Sequence, residues 1–216
     1  MRDTITVLFL ASHPSSPDRT PRLEEEVCAI EHAAGGGRGR HRVRLVPRFV
    51  AGSRDLRDAL LRHDPRIVHF AGHADDPCVL YLDDGQGRRR PVGKEPLAKL
   101  FGTLREWIRV VVVNGRGALP TVEALGEAVD YAIGMDRPLS DPSAVAFARA
   151  FYGALAIGRT VQAAFDVAVI QMMIEDGAEP GSARLRIRPG VDPSVPLVSA
   201  LPVAVRGYAL RGAGRP

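Results

Sequence analysis

Two apolar segments of the sequence each run into a polar residue that could do chemistry. The segment IVHFAGH at 67–73 ends on His73, and the segment RVVVVNGRGA at 109–118 carries Arg116 shortly after its valines. If both segments are parallel strands, these two residues lie just past strand C-terminal ends, where open α/β sheets place their active sites. A cysteine hydrolase would need a histidine base from one loop and a thiol from the other. The second loop offers a guanidinium, so the pattern is that of a hydrolase without its nucleophile.

The order of elements around these segments predicts an α/β fold. Short apolar runs alternate with helical periods, which favours a mostly parallel sheet covered by helices on both faces. An Asp-Gly turn between two further apolar runs predicts a small hairpin excursion. The predicted strands of the sheet are residues 5–10, 41–46, 67–70, 110–113, 131–134 and an edge strand at 183–188, and the hairpin spans 79–92.

Helices are predicted between the strands from apolar residues at helical spacing. One of them carries Leu23, Val27 and Ile30, and another carries Val122, Leu125 and Val129. Helix starts are indicated by residues that can cap them, with a proline following Asp141 as the first helical residue. The predicted caps are Ser53, Asp141 and Thr160.

The length and charge fit one globular domain with a tail. The 216 residues divide into a predicted domain at 1–177 and, at 178–216, an edge strand with a Pro-, Gly- and Arg-rich tail that packs on the domain or on a partner. The net charge of +4 comes from arginines scattered along the chain, without the aromatic residues of a nucleic-acid surface. No apolar run approaches the ~20 residues that span a bilayer, so a cytoplasmic location without membrane contact is predicted.

The two cysteines, Cys28 and Cys78, are not spaced for a metal site or a disulfide framework. Both are predicted to be buried free thiols, Cys28 on the apolar side of a helix and Cys78 at the start of the hairpin. No metal and no cofactor are predicted.

Several motifs taken together resemble the CHAT group of caspase-like proteins. The resemblance covers residues 5–175 and rests on the order in which the motifs occur. These motifs are LFLASHP at 8–14, RLEEEV at 22–27, IVHFAGH at 67–73, VVVNGR at 111–116, YAIGM at 131–135 and AFARAFY at 146–152. The resemblance implies a caspase-like three-layer α/β/α sandwich and a cysteine-peptidase scaffold.

The resemblance also implies the roles of single residues. In that group a histidine acts as base for a cysteine nucleophile, and the matching positions here are His73 and Arg116. Arginine stays protonated and presents only donors, so it cannot attack a carbonyl. Ala74 stands where the histidine motif usually has glycine. His69, earlier on the same strand, is interpreted as a packed strand histidine.

These departures favour a catalytically inactive pseudopeptidase that acts by binding, with His73 as a vestigial base. Its cleft would accept a peptide or a partner loop, and Arg116 would pair with a carboxylate. The predicted binding residues around it are Asn114, Gly115, Asp75 and Asp76. The resemblance implies a regulatory role in bacterial conflict, antiviral defence or signalling, with a sensor NTPase or an active paralogue as partner. The sequence leaves the oligomeric state open.

Two alternative functions remain open at this point. The chain could be a conditionally active cysteine endopeptidase that uses the Cys78 thiol, which would then require a lowered pKa. It could also be a basic module that binds a phosphate or nucleic acid at Arg116, although no phosphate-binding glycine motif is present.

Overall fold

The structure is a computed structural model in which residues 4–12, 20–36, 42–50, 52–71, 80–83, 88–114, 118–135, 140–179 and 181–199 are described. Helices and strands follow one another along these residues. They are β1 (Ile5–Ser12), α1 (Thr20–Gly35), β2 (Val43–Val50), α2 (Ser53–His63), β3 (Ile67–Ala71), β4 (Leu80–Asp83), β5 (Arg89–Val92), α3 (Lys94–Thr103), β6 (Val110–Asn114), α4 (Leu119–Gly126), β7 (Tyr131–Met135), α5 (Asp141–Ala156), α6 (Val161–Asp176) and β8 (Ala183–Ile187).

The strands form one large sheet and one separate hairpin. The order in the sheet is β2-β1-β3-β6-β7-β8, with every neighbouring pair parallel except β7 and β8, which are antiparallel. β4 and β5 pair with each other as an antiparallel ribbon outside this sheet. This confirms the predicted α/β class, the mostly parallel sheet, the hairpin excursion and the edge strand.

The sheet is the middle of three layers because both of its faces are apolar. Alternate residues of the central strands point to opposite faces, and each face is covered by helices. Ile30 of α1, Phe151 of α5 and Ala164 of α6 belong to the core on one face. Leu60 of α2, Phe101 of α3 and Leu125 of α4 belong to the core on the other. The predicted arrangement with helices on both faces is therefore correct.

Three predicted boundaries shift by one or more residues. The cap of α5 is Ser140, whose side chain accepts a hydrogen bond from the backbone N–H of Ser143, while Asp141 is already helical. The cap of α2 is Gly52, whose N–H donates to the Asp55 carboxylate, so Ser53 starts the helix. α4 ends at Gly126, and Val129 lies in the turn that follows it.

The prediction of a buried Cys28 is wrong, because this cysteine is exposed. Glu26 and Ile30, the buried residues of α1 on either side of it, are each two positions away. Two positions correspond to about 200° around a helix, so Cys28 faces away from the core. Cys78 lies outside the described residues. Thr160 caps α6 as predicted, through its hydroxyl and the N–H of Ala163.

The chain after β8 returns across the edge of the sheet at which the parallel strands begin. The Tyr131 hydroxyl donates to the backbone carbonyl of Asp192 at 3.3 Å, and Val198 is buried in the core on the α1 face. The division of the chain at residue 177 stays a prediction, and residues 200–216 lie outside the described part. Among the described helices, none is both long and apolar enough to cross a membrane.

Candidate functional site

The candidate site lies where two neighbouring strands of the sheet end. β3 and β6 are adjacent and parallel, and their last residues, Ala71 and Asn114, are paired in register. The segments that follow these strands therefore start side by side, as the arrangement of an α/β active site requires. Of the predicted site residues the structure describes only Asn114. The others lie outside the described residues, and their roles stay predictions: His73, Asp75, Asp76, Gly115 and Arg116.

Beneath this edge lies a group of buried polar side chains in contact with one another. The Asn114 amide donates to Glu26 Oε1 at 3.3 Å, and the same oxygen lies 3.2 Å from His69 Nε2. His69 Nδ1 lies 2.9 Å from the Tyr152 hydroxyl. We call these four residues the buried polar network. It joins α1, β3, β6 and α5 through a single chain of contacts.

Strand alternation and helix packing place these four side chains together. Ile67 and Ala71 face the α1 side of the sheet, so His69 between them does too. Asn114 lies one pleat closer to the strand ends, on the same face and on the next strand. Glu26 enters from α1 and Tyr152 from α5, and the Phe9 ring packs against the imidazole with centroids 5.1 Å apart.

The network is removed from water, which makes each of its contacts costly to lose. His69 and Tyr152 are fully buried, and Glu26 is 5% exposed. A buried carboxylate is stable only when donors or cations surround it. Here His69 Nε2 lies close to the carboxylate without the geometry of a hydrogen bond. Asn114 supplies the directed hydrogen bond to Glu26.

Burial raises the pKa of the Tyr152 hydroxyl well above its ordinary value of 10.0, and the nearby Glu26 carboxylate raises it further. The unfolded chain would ionise this tyrosine near pH 10 while the folded chain keeps it neutral. The stabilisation that comes from keeping Tyr152 neutral is therefore complete below about pH 10. It is lost as pH rises above that value, because the unfolded state then binds fewer protons than the folded state.

We expect the free energy of unfolding to fall above pH 10 more steeply in the wild type than in Tyr152→Phe, by up to about 1.4 kcal/mol per pH unit. Urea unfolding at a series of alkaline pH values, followed by circular dichroism, measures the difference. Parallel curves for the two proteins would show that Tyr152 is not held neutral by its surroundings.

Sequence reasoning found part of this network and missed the rest. His69 is the packed strand histidine that was predicted. Glu26 and Tyr152 were not singled out, although one signal was available. Glu26 stands four residues before Ile30, on the core face of an amphipathic helix, where a charged residue needs a buried partner. Within the described residues, no cluster of three or more metal-ligating side chains occurs.

The fold is similar to the α/β fold of caspase-like cysteine proteases. The chain is similar to the Arg-specific cysteine proteinase gingipain R, with a TM-score of 0.57, 12% identity, and coverage of 88% of this chain and 46% of that one. It is also similar to a secreted C11 cysteine protease from Bacteroides thetaiotaomicron in complex with an irreversible peptide inhibitor. There the TM-score is 0.50 and the identity 11%, over 74% of this chain and 56% of that one.

At these identities the similarity concerns the fold alone, and the chain spans about half the length of these two proteases. No protein-family model matches the sequence. No curated protein matches it either.

Proposed function

We propose that this chain is a catalytically inactive, CHAT-like member of the caspase-type fold that acts as a binding or regulatory module. The observation that carries the proposal is the sequence after β6, where Arg116 stands at the position of the family's cysteine. β6 lies beside β3, whose following segment carries His73. A base would then have no nucleophile to activate, because a guanidinium stays protonated and has no available electron pair with which to attack a carbonyl.

The chemistry of arginine supports a binding role at this position. A guanidinium offers planar, paired donors that match a carboxylate and keep their charge at any physiological pH. Arg116 would pair with a carboxylate of a protein or peptide partner, or with Asp75 or Asp76 of its own chain in the absence of one. Such a partner would be a sensor NTPase or a catalytically active paralogue in a bacterial defence or signalling system.

The buried polar network supports the proposal because it holds the C-terminal end of β6, which precedes Arg116 in the sequence, in a fixed position. Asn114, two residues before Arg116, is tied to Glu26 from below. A directed contact of this kind fixes the end of β6, and a binding module needs a rigid support as much as an enzyme does.

The test restores the missing thiol. In a Cys28→Ser background, which removes the exposed cysteine, the Arg116→Cys variant is treated with a peptidyl acyloxymethyl ketone and analysed by intact mass. We expect the variant to acquire the probe and its Cys28→Ser parent to stay unlabelled. We expect the unmodified chain to leave casein and fluorogenic peptides uncut. We also expect labelling to fall by at least roughly tenfold when His73→Ala is added, because general-base assistance is typically worth more than that.

The matched control places a cysteine at an exposed site near the opposite edge of the sheet, with Arg62→Cys in the last turn of α2 in the same background. Equal labelling of this control would mean that the probe reports ordinary thiols and that residue 116 has no special environment. Cleavage of casein by the unmodified chain, abolished by His73→Ala, would contradict the proposed inactivity.

A further inference from the structure

A second cleft lies at the opposite edge of the sheet, where the parallel strands begin. It encloses about 440 Å³ between the starts of β1, β3 and β6 on one side and residues 195–197 of the C-terminal segment on the other. This volume is within the ~300–1,000 Å³ of small-molecule sites. Arg66, Trp107 and Arg109 all contribute to its walls. None of them belongs to the candidate site at the ends of β3 and β6.

Several guanidinium groups crowd around this cleft with one buried carboxylate between them. Asp130 is paired with Arg109 and, at 2.7 Å, with Arg188. The pKa of Arg109 is lowered first by burial and next by repulsion from Arg66, with Arg188 adding to the repulsion. Arg109 is therefore close enough to two other cations to be destabilised by them. An anion between Arg66 and Arg109 would relieve part of this repulsion.

The Arg66 guanidinium is hydrogen-bonded to the backbone through one of its nitrogens. Its Nη1 donates to the backbone carbonyls of Glu106 at 3.3 Å and Trp107 at 3.5 Å. Both described contacts use one nitrogen, whereas a guanidinium carries N–H groups on three. The side chain is thus oriented by the protein backbone and retains donors that can bind a phosphate or carboxylate.

Trp107 lines the cleft beside these cations. The residue is 47% exposed, which is unusual for so large an apolar side chain. An exposed tryptophan next to guanidinium groups suits a ligand that joins a planar ring to an anionic group, because base–aromatic stacking and phosphate pairing can then act together.

The charge of the described lining limits how many phosphates the ligand carries. The cleft is lined by two arginines, Arg66 and Arg109, and by one carboxylate, Asp64. Arg109 is already paired with Asp130 from outside the lining. A chain of phosphates would therefore bring more negative charge than these two guanidinium groups can balance, and it would also approach Asp64. A single phosphate group is the better match.

We propose that this cleft binds a nucleoside monophosphate, with its phosphate between Arg66 and Arg109 and its base stacked on Trp107. The C-terminal segment at 195–197 forms the opposite wall, so a bound nucleotide would hold that segment against the sheet. The inference is independent of the proposed pseudopeptidase function, because it concerns the other edge of the sheet.

Trp107 is the only tryptophan of the chain, so its fluorescence reports on this cleft alone. Titration with adenosine 5′-monophosphate is expected to change the emission in a saturable way. Arg66→Gln should weaken binding by at least roughly tenfold, the usual cost of losing a charged hydrogen bond. Arg54→Gln, an exposed arginine of α2, should bind like the wild type. Arg66→Lys keeps the charge, and it serves if the glutamine variant fails to fold.

The ligand series decides which part of the proposal fails. Adenosine that binds as tightly as the monophosphate would overturn the role of the arginines, and inorganic phosphate that does so would overturn stacking on Trp107. Tighter binding of the triphosphate would overturn the charge match. If the emission does not change on titration, and calorimetry with the wild type and Trp107→Phe also detects no binding, the proposed site is rejected. These results leave the labelling test of Arg116→Cys unaffected.

Discussion

Replacement of Glu26 by alanine is expected to lower the free energy of unfolding by about 3–5 kcal/mol, because two polar groups lose their partner and each such loss typically costs roughly 1–3 kcal/mol. The substitution leaves the Asn114 amide without its acceptor and His69 without the carboxylate that lies 3.2 Å from Nε2. His69 would remain fully buried and Asn114 half-buried on the α1 face of the sheet. Urea denaturation at neutral pH measures the loss.

Glu25 provides the matched control because it precedes Glu26 on α1 and is exposed. Glu25→Ala changes the same side chain on the same helix without touching the network, so its effect should stay within about 0.5 kcal/mol. If the two substitutions cost the same, the contacts of Glu26 contribute nothing beyond helix propensity.

A triple variant, compared with Glu26→Ala, separates the effect of the network on stability from its effect on the candidate site. Glu26→Leu combined with His69→Leu and Tyr152→Phe removes the carboxylate, the imidazole and the hydroxyl at once, and replacing both partners of a buried polar contact by apolar groups is often nearly neutral or stabilising. We expect this triple variant to be more stable than Glu26→Ala. In the Arg116→Cys background we also expect slower probe labelling, because Asn114 has lost the acceptor that orients the end of β6.

The strands that carry the candidate site could be predicted from sequence because their signal is local. β6 is an unbroken run of four valines ending on Asn114, and β3 is apolar except for His69. Strands buried on both faces have such runs, and their order along the chain with intervening helices implies a parallel sheet. The adjacency of β3 and β6 therefore follows from local patterns and general rules of topology.

The buried polar network could not be predicted in the same way because it depends on distant pairings. Glu26 meets a residue 88 positions later in Asn114, and His69 meets one 83 positions later in Tyr152. Taken alone, a glutamate in a charged helix is typical of a solvated surface. Only the packing of α1 and α5 on one face of the sheet shows that these positions converge.

The cleft at the other edge of the sheet could not be predicted from the sequence either, for the same reason. The sequence shows arginines scattered along the chain, without the pattern of a binding surface. In the fold, Arg66 precedes β3, Arg109 precedes β6 and Arg188 follows the antiparallel β8, so all three lie at one edge. Strand order brings together charges that the sequence separates, and no local pattern carries that information.

Gly134→Ala is expected to be the second most damaging substitution, with a loss of about 3 kcal/mol in stability, at the upper end of the usual cost of overpacking. A Cβ on Gly134 of β7 would overlap the Cγ2 methyl of Val122 and lie 3.2 Å from the Ala118 Cβ. Val122 is within α4 and Ala118 caps it, so the helix would have to move away from the sheet. In a chain of this size such a loss lowers the melting temperature by roughly 6–12 °C.

Gly102→Ala is the control for this change. Gly102 lies in α3, and a Cβ there would meet only the Ala128 Cβ at an ordinary 3.7 Å. Alanine is the better helix former by about 1 kcal/mol, so this substitution should leave stability unchanged or raise it. A loss from Gly102→Ala as large as that from Gly134→Ala would show that close packing of α4 on the sheet is not the cause.

Gly134→Ala also tests whether the position of α4 matters for the candidate site, because Arg116 lies between the end of β6 and Ala118 in the sequence. Val122→Ala removes the methyl group that a Cβ on Gly134 would meet. We expect the double variant to be more stable than the sum of the single losses predicts, by about 1–3 kcal/mol. In the Arg116→Cys background, Gly134→Ala should slow probe labelling and Val122→Ala should partly restore it. Restored stability without restored labelling would mean that the loop after β6 does not depend on how α4 docks.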